Sequence, residues 1–153
     1  MRSRRCRGFT LLELLVVLAL LGVLVGMAGL TLGRDPQRQV SQEASLFLQL
    51  VQYARQRAVL EGATLGIHVD AQRYRLVRRT ERGWEVAGKW RDTGLDLRLE
   101  LDGLPVLARP SEIPRLLLHS NDEHSVFTLH FENAGERLAS VTSDGLNDPK
   151  FGL

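Results

Sequence analysis

The sequence predicts an α+β chain. A long N-terminal helix crosses a membrane with its first half and packs its second half on an antiparallel β-sheet domain of about seven or eight strands. Three observations carry that prediction. Between Phe9 and Leu32 the only ionisable side chain is Glu13. Further on, Val40, Ala44, Phe47, Val51, Ala54 and Ala58 recur with the period of an α-helix. From Thr64 the period shortens to that of a strand, in segments separated by turn residues.

As a helix, residues 9–32 would reach about 36 Å, enough to cross a hydrocarbon core of ~30 Å. Arg2, Arg4, Arg5 and Arg7 precede this run, and only Arg34 and Arg38 follow closely, so the N-terminus belongs in the cytoplasm and the remainder across the membrane. Four of the 20 basic residues thus stand in the first eight positions; the other 16 face 18 acids. The basic pI of 9.1 therefore belongs largely to the leader and is weak evidence for nucleic-acid binding. Cys6 is the single cysteine, which leaves the rest of the chain without an intramolecular disulfide or a thiolate metal site.

Two simple accounts of the apolar run are a cleaved secretory signal, with "GMAG" around Ala28 as its cleavage region, and a plain anchor. Secretory signals use a shorter apolar stretch, and neither account explains Glu13. A carboxylate in a spanning helix costs about 2.5–3.5 kcal/mol at the centre and less near an end, and such residues mark function. No proline interrupts the run, and Gly22, Gly26 and Gly29 are its small-residue positions.

After "GRDPQ" the second helical pattern begins, with Pro36 acceptable in a first turn and Gly62 as the stop. Leu46, Leu48, Leu50 and Leu60 widen its apolar surface. Strands are expected at "TLGIHV", "RYRLVRR", "WEVAGKW", "LDLRLEL", "RLLLH", "VFTLHF" and "RLASVTS". Turns are expected at Asp70-Ala71-Gln72, "ERG" and "ENAGE", and "GLPVLARPSEIP" reads as a loop.

The stretch "RGFTLLEL", behind a basic leader and ahead of an apolar run, resembles the class III signal of type IV pilins and type II secretion pseudopilins. The resemblance implies that a prepilin peptidase/methyltransferase cuts between Gly8 and Phe9 and N-methylates Phe9, leaving the helix in place. Glu13 would then be an assembly element, its carboxylate pairing with the Phe9 amine of a neighbouring subunit. The body, through "LVQYARQRAVLEGATLGIHVDAQRYRLV", "GW" and "FTLHFENAGERLASVTSDG", is similar to the H-type minor pseudopilins of the GspH/FimT-like family. That resemblance implies a pilin-like fold in four parts: a cleaved leader (1–8), a transmembrane and filament-core helix (9–32), its periplasmic continuation (33–62) and a periplasmic β domain (63–153). It implies a non-enzymatic subunit of the inner-membrane, periplasmic pseudopilus, partnered by I, J and K minor and G major pseudopilins. The alternative within the same resemblance is a minor type IV pilin of a motility, adhesion or DNA-uptake pilus.

No enzyme signature, cofactor motif or metal-ligand spacing is present. His68, His119, His124 and His130 sit in or beside expected strands and read as solvent-facing. Asp144, Asn147 and Asp148 offer hard oxygens of the kind calcium takes, as a C-terminal loop does in major pseudopilins, but the run is short and reads as a capped turn. The basic stretch "RYRLVRRTER", with Arg73, Arg75, Arg78, Arg79 and Arg82, is the feature that suits DNA; alternating arginines on a solvated strand face are the better account, and nucleic acid is not expected as a partner.

Overall fold

The computed structural model describes residues 11–29, 36–107 and 111–152. The chain divides into two compact units, Met1–Arg34 and Asp35–Leu153. The first contains α1 (Leu11–Gly29). From Leu11 to Val23 every residue of α1 is exposed, with no apolar stripe and no buried face. Among the described residues no helix is long and apolar enough to cross a membrane. The span expected from the sequence, Phe9 to Leu32, runs past α1 at both ends, and residues 9–10 and 30–32 lie outside the described residues.

The second unit opens with α2 (Pro36–Glu61), whose predicted stripe is its buried face. Val40, Ala44, Phe47, Val51, Ala54 and Ala58 are each at most 1% exposed. The helix stops where Gly62 takes a φ of +61°, a conformation that costs a residue without a Cβ nothing. Ala63 N–H then donates to Ala58 O at 3.1 Å and Gly62 N–H to Val59 O at 3.3 Å, capping carbonyls the helix would otherwise leave open.

Among the described residues ten strands follow: β1 (Leu65–Val69), β2 (Arg73–Thr80), β3 (Gly83–Val86), β4 (Arg91–Asp92), β5 (Asp96–Leu101), β6 (Leu104–Pro105), β7 (Leu116–Leu118), β8 (Phe127–Asn133), β9 (Glu136–Ser143) and β10 (Lys150–Gly152). All seven strands expected from the sequence are among them. The total exceeds the expected seven or eight because β4, β6 and β10 are two or three residues long. Segments that short cannot display an alternation. Pro105 sits in β6, an edge strand where a missing N–H is tolerated.

The strands form two antiparallel sheets, where the sequence suggested one. The first has the order β3-β2-β1-β7 with β4 also pairing to β2, and the second runs β10-β9-β8-β5-β6. The chain leaves the first sheet at Thr93, whose Oγ1 donates within reach of Gln72 O at 2.8 Å and Leu95 O at 3.0 Å. Gly94, with φ +65°, completes the corner. The β8–β9 hairpin turns through Ala134 (φ 51°) and Gly135 (φ 81°), two left-handed residues as a tight hairpin requires.

Both sheets meet on Phe47. Its ring makes edge-to-face contacts with Tyr74 of the first sheet at 5.1 Å and with Phe127 and Phe131 of the second at 6.1 and 6.2 Å. The alternation in "LDLRLEL" also holds, with Leu95, Leu97 and Leu99 buried and Asp96 and Arg98 exposed. On the rim, Arg91 forks onto Glu43 with bonds of 3.0 and 2.8 Å, tying β4 to α2. Burial beside this pair pushes the Tyr74 hydroxyl up to about 12.

Candidate functional site

Of the residues singled out for processing and assembly, Gly8 and Phe9 lie outside the described residues. Glu13 falls in the first turn of α1 and is exposed. That end of a helix carries the positive pole of the backbone dipole, so a carboxylate is better tolerated there than at mid-helix. Around it stand Leu11 and Leu12, 83% and 75% exposed, and then an unbroken apolar surface to Val23. A helix apolar on all sides requires lipid or other helices around it. Glu13 is the only acid that α1 brings to such a setting.

The second place is the loop between β9 and β10. Asp144 caps it: Oδ1 accepts from Leu146 N at 3.1 Å and Asn147 N at 2.8 Å, and Oδ2 accepts from Asn147 Nδ2 at 2.8 Å. The Asn147 side-chain amide, followed by these backbone N–H groups, holds the Asp144 carboxyl well below the usual carboxylate range. Asp148 is taken by Arg55, whose Nη1 donates to its Oδ1 at 2.8 Å. The same guanidinium forks onto Asp122 at 3.2 and 3.1 Å and reaches Leu146 O at 3.1 Å. Arg55 is 8% exposed. It therefore pins the β7–β8 and β9–β10 loops to α2, and an arginine fills the cationic role that a metal ion could have had. Among the described residues no group of three or more metal-type side chains gathers. In the sequence Arg55 read as one polar position of the helix surface; only the fold brings Asp122 and Asp148 to it.

The histidines depart from their sequence reading. His68, His124 and His130 are 8%, 7% and 5% exposed, and only His119 faces solvent. Over His68 lie Trp90, with ring centres 6.4 Å apart, and the segment that includes Ser111 and Arg115, so a strand position that alternation assigns to solvent is covered. His124 shares a hydrogen bond with Ser143 Oγ, and His130 Nε2 lies 3.2 Å from Glu100 Oε1. Burial first, and then the Arg55 charge, lower the pKa of His124. The arginines of "RYRLVRRTER" scatter: Arg78 meets Glu61 at 3.4 Å, Arg79 lies over Trp84, and Arg73 and Arg75 lie over Trp90.

Residues 3–29 match the prokaryotic N-terminal methylation motif, and residues 43–146 match the type II transport protein GspH family. The chain belongs to the GspH family. Among its relatives, type II secretion system protein H of Pseudomonas aeruginosa is 30% identical over 96% of each chain. The Escherichia coli protein of the same name is 28% identical over 91% of this chain and 89% of its own. The fold is likewise that of solved pseudopilins. The crystal structure of the minor pseudopilin EpsH from Vibrio cholerae superposes with a TM-score of 0.66 at 22% identity, covering 76% of this chain and 95% of the other. The solution structure of Escherichia coli GspH gives 0.66 at 20% identity, covering 80% and 94%. GspH-family membership agrees with the resemblance seen in "RGFTLLEL" and in the body, and it makes the chain a pseudopilin of the H type.

Proposed function

We propose that this chain is a minor pseudopilin of type II secretion: a structural, non-enzymatic subunit near the tip of the periplasmic pseudopilus, helping to drive folded proteins across the outer membrane. One observation carries the reading: a methylation motif at 3–29 and a GspH body at 43–146 in a single chain. In this reading residues 1–8 are a leader, removed between Gly8 and Phe9, and Phe9 is N-methylated. Residues 9–32 are a single inner-membrane span with a cytoplasmic N-terminus and become filament core on assembly. Residues 33–62 continue as periplasmic helix and 63–153 as periplasmic β domain.

Glu13 then has a physical task. Cleavage creates an amine at Phe9, and a neighbour's Glu13 neutralises it in an apolar bundle, where either charge alone is costly. The pairing fixes the stagger between helices. The partners are the I, J and K minor and G major pseudopilins, with the prepilin peptidase/methyltransferase acting on the precursor. Intact-mass analysis of the protein extracted from membranes tests the processing. The expected species begins at Phe9 and carries about 14 Da for a methyl group. A mature start at Ala28 or beyond would mean an ordinary secretory signal and would overturn the reading.

A further inference from the structure

The first sheet turns one face to α2 and the other outward, and the outward face is not plain. Across it passes the segment Ser111–Arg115: at Gly66 a Cβ would come within 2.4 and 2.7 Å of the Pro114 ring, so only glycine admits this approach. Beside the crossing lies a hollow of about 200 Å³, lined by His68, Asp70, Arg73, Arg75, Trp90 and Arg115. His68 of β1 stands directly opposite Arg75 of β2 in the strand register.

The charges in this hollow do not balance. Among the described residues Asp70 is its one carboxylate lining, and Arg73 Nε already donates to it at 3.2 Å. Among the described residues neither Arg75 nor Arg115 has an ion pair, and Arg75 Nε is buried without a hydrogen-bond partner. Burial, then the charges of Arg75 and Arg115, hold His68 below its usual pKa, so the imidazole adds no positive charge of its own near neutrality. The guanidiniums of Arg73 and Arg75 lie 4.6 and 4.5 Å from the Trp90 ring centre, which orders them at the rim. Fixed, unneutralised guanidinium forks are donors arranged for an oxyanion.

We propose that this hollow receives a carboxylate from a partner polypeptide, an Asp or Glu side chain held between Arg75 and Arg115. Two features favour a protein carboxylate over nucleic acid. Arg73 and Arg75 already lie over the Trp90 ring, so a base would have to displace a guanidinium to stack there. The other arginines of the strand are diverted, Arg78 to Glu61 and Arg79 to Trp84, so no continuous basic track follows a phosphate backbone. The inference goes beyond the proposed function, and because it concerns the body alone, its failure is separable from failure of the N-terminal processing.

The test is fluorescence anisotropy of a fluorescein-labelled hexaglutamate peptide titrated with the full chain in non-ionic detergent. Saturable binding is expected, weakened about tenfold or more by Arg75→Gln and by Arg115→Gln. Arg82→Gln, an exposed charge outside the hollow, should stay within about twofold of wild type. Arg115→Gln carries the test if Arg75→Gln does not fold. Equal weakening by Arg82→Gln would show diffuse attraction and overturn the proposal, as would absence of saturation. Tighter binding of oligothymidylate than of the peptide, lost in the same two variants, would replace the carboxylate with a phosphate backbone.

Discussion

α1 and α2 differ in where their apolar side chains go. In α1 the exposed residues include Leu11, Leu12, Leu14 and Val17, which point to different sides of the helix. In α2 a single stripe disappears beneath two sheets, and the remaining exposed apolar side chains, such as Tyr53 and Leu60, are scattered among charges. The contrast separates two kinds of stability. The body from Asp35 onward buries the stripe of α2 in its own core, whereas a helix apolar on all sides, as α1 is from Leu11 to Val23, requires lipid or other helices around it. Perturbations of the two should therefore have different readouts: folding in one case, assembly in the other.

The largest effect on the body should come from Phe47→Ala. This ring is fully buried where both sheets meet, and its loss should cost about 3–5 kcal/mol. Urea unfolding of the body from Asp35 onward would measure it. Cleavage at Gly8 and insertion of the full chain should be unaffected, and a processing defect in this variant would mean that the two regions are not independent.

Arg55→Gln should cost less, about 1–3 kcal/mol, because its carboxylate partners Asp122 and Asp148 are 58% and 76% exposed and water can replace the guanidinium. Hydrogen exchange should accelerate mainly in the β7–β8 and β9–β10 loops. Calcium should not raise the melting temperature of the wild-type body, since Arg55 and the Asp144 turn already occupy the carboxylates; a clear rise would show that the loop opens to a metal.

Smaller still is the effect of pH. The His124 pKa is lowered by burial, so the folded state holds the ring neutral while the unfolded chain takes up a proton near ~6.5. Below that value the unfolded state binds more protons, and stability falls as pH drops from about 6.5 towards the folded-state pKa. His68 is shifted in the same direction and contributes alike. Chemical denaturation at pH 7.5 and 5.5 should show this loss, and His124→Gln should reduce the slope without abolishing it.

Much of this architecture could be read from patterns. The stripe from Val40 to Ala58 and the alternation from Leu95 to Leu99 are periodic, and each is buried as its period requires. What escaped reading has no period. β4, β6 and β10 are too short to alternate, and the division into two sheets depends on a corner at Thr93 and Gly94 that resembles any other turn. Arg55 and its two aspartates lie 67 and 93 residues apart in sequence, and no local signal joins them. His68 looked solvent-facing because alternation cannot announce that Trp90 and the segment ending at Arg115 cover the second face. The N-terminal methylation motif is legible in another way, in "RGFTLLE", as a motif rather than through a fold.

The central claim is that Glu13 serves assembly and neither folding nor membrane insertion, and its removal tests that most directly. Glu13→Ala deletes an acid whose burial in a membrane is costly, so insertion and cleavage should proceed at least as well as in wild type. The compensating charge for a neighbour's amine would be gone, a penalty of about 3–5 kcal/mol in a dry site. Glu13→Gln should fail alike, and Glu13→Asp should be intermediate. The measurement is co-purification with the other pseudopilins, together with secretion, in a strain lacking the native copy. The account requires a processed, stably folded Glu13→Ala protein that is absent from the assembled complex. An alanine variant that is cleaved, co-purifies and supports secretion like wild type would contradict it.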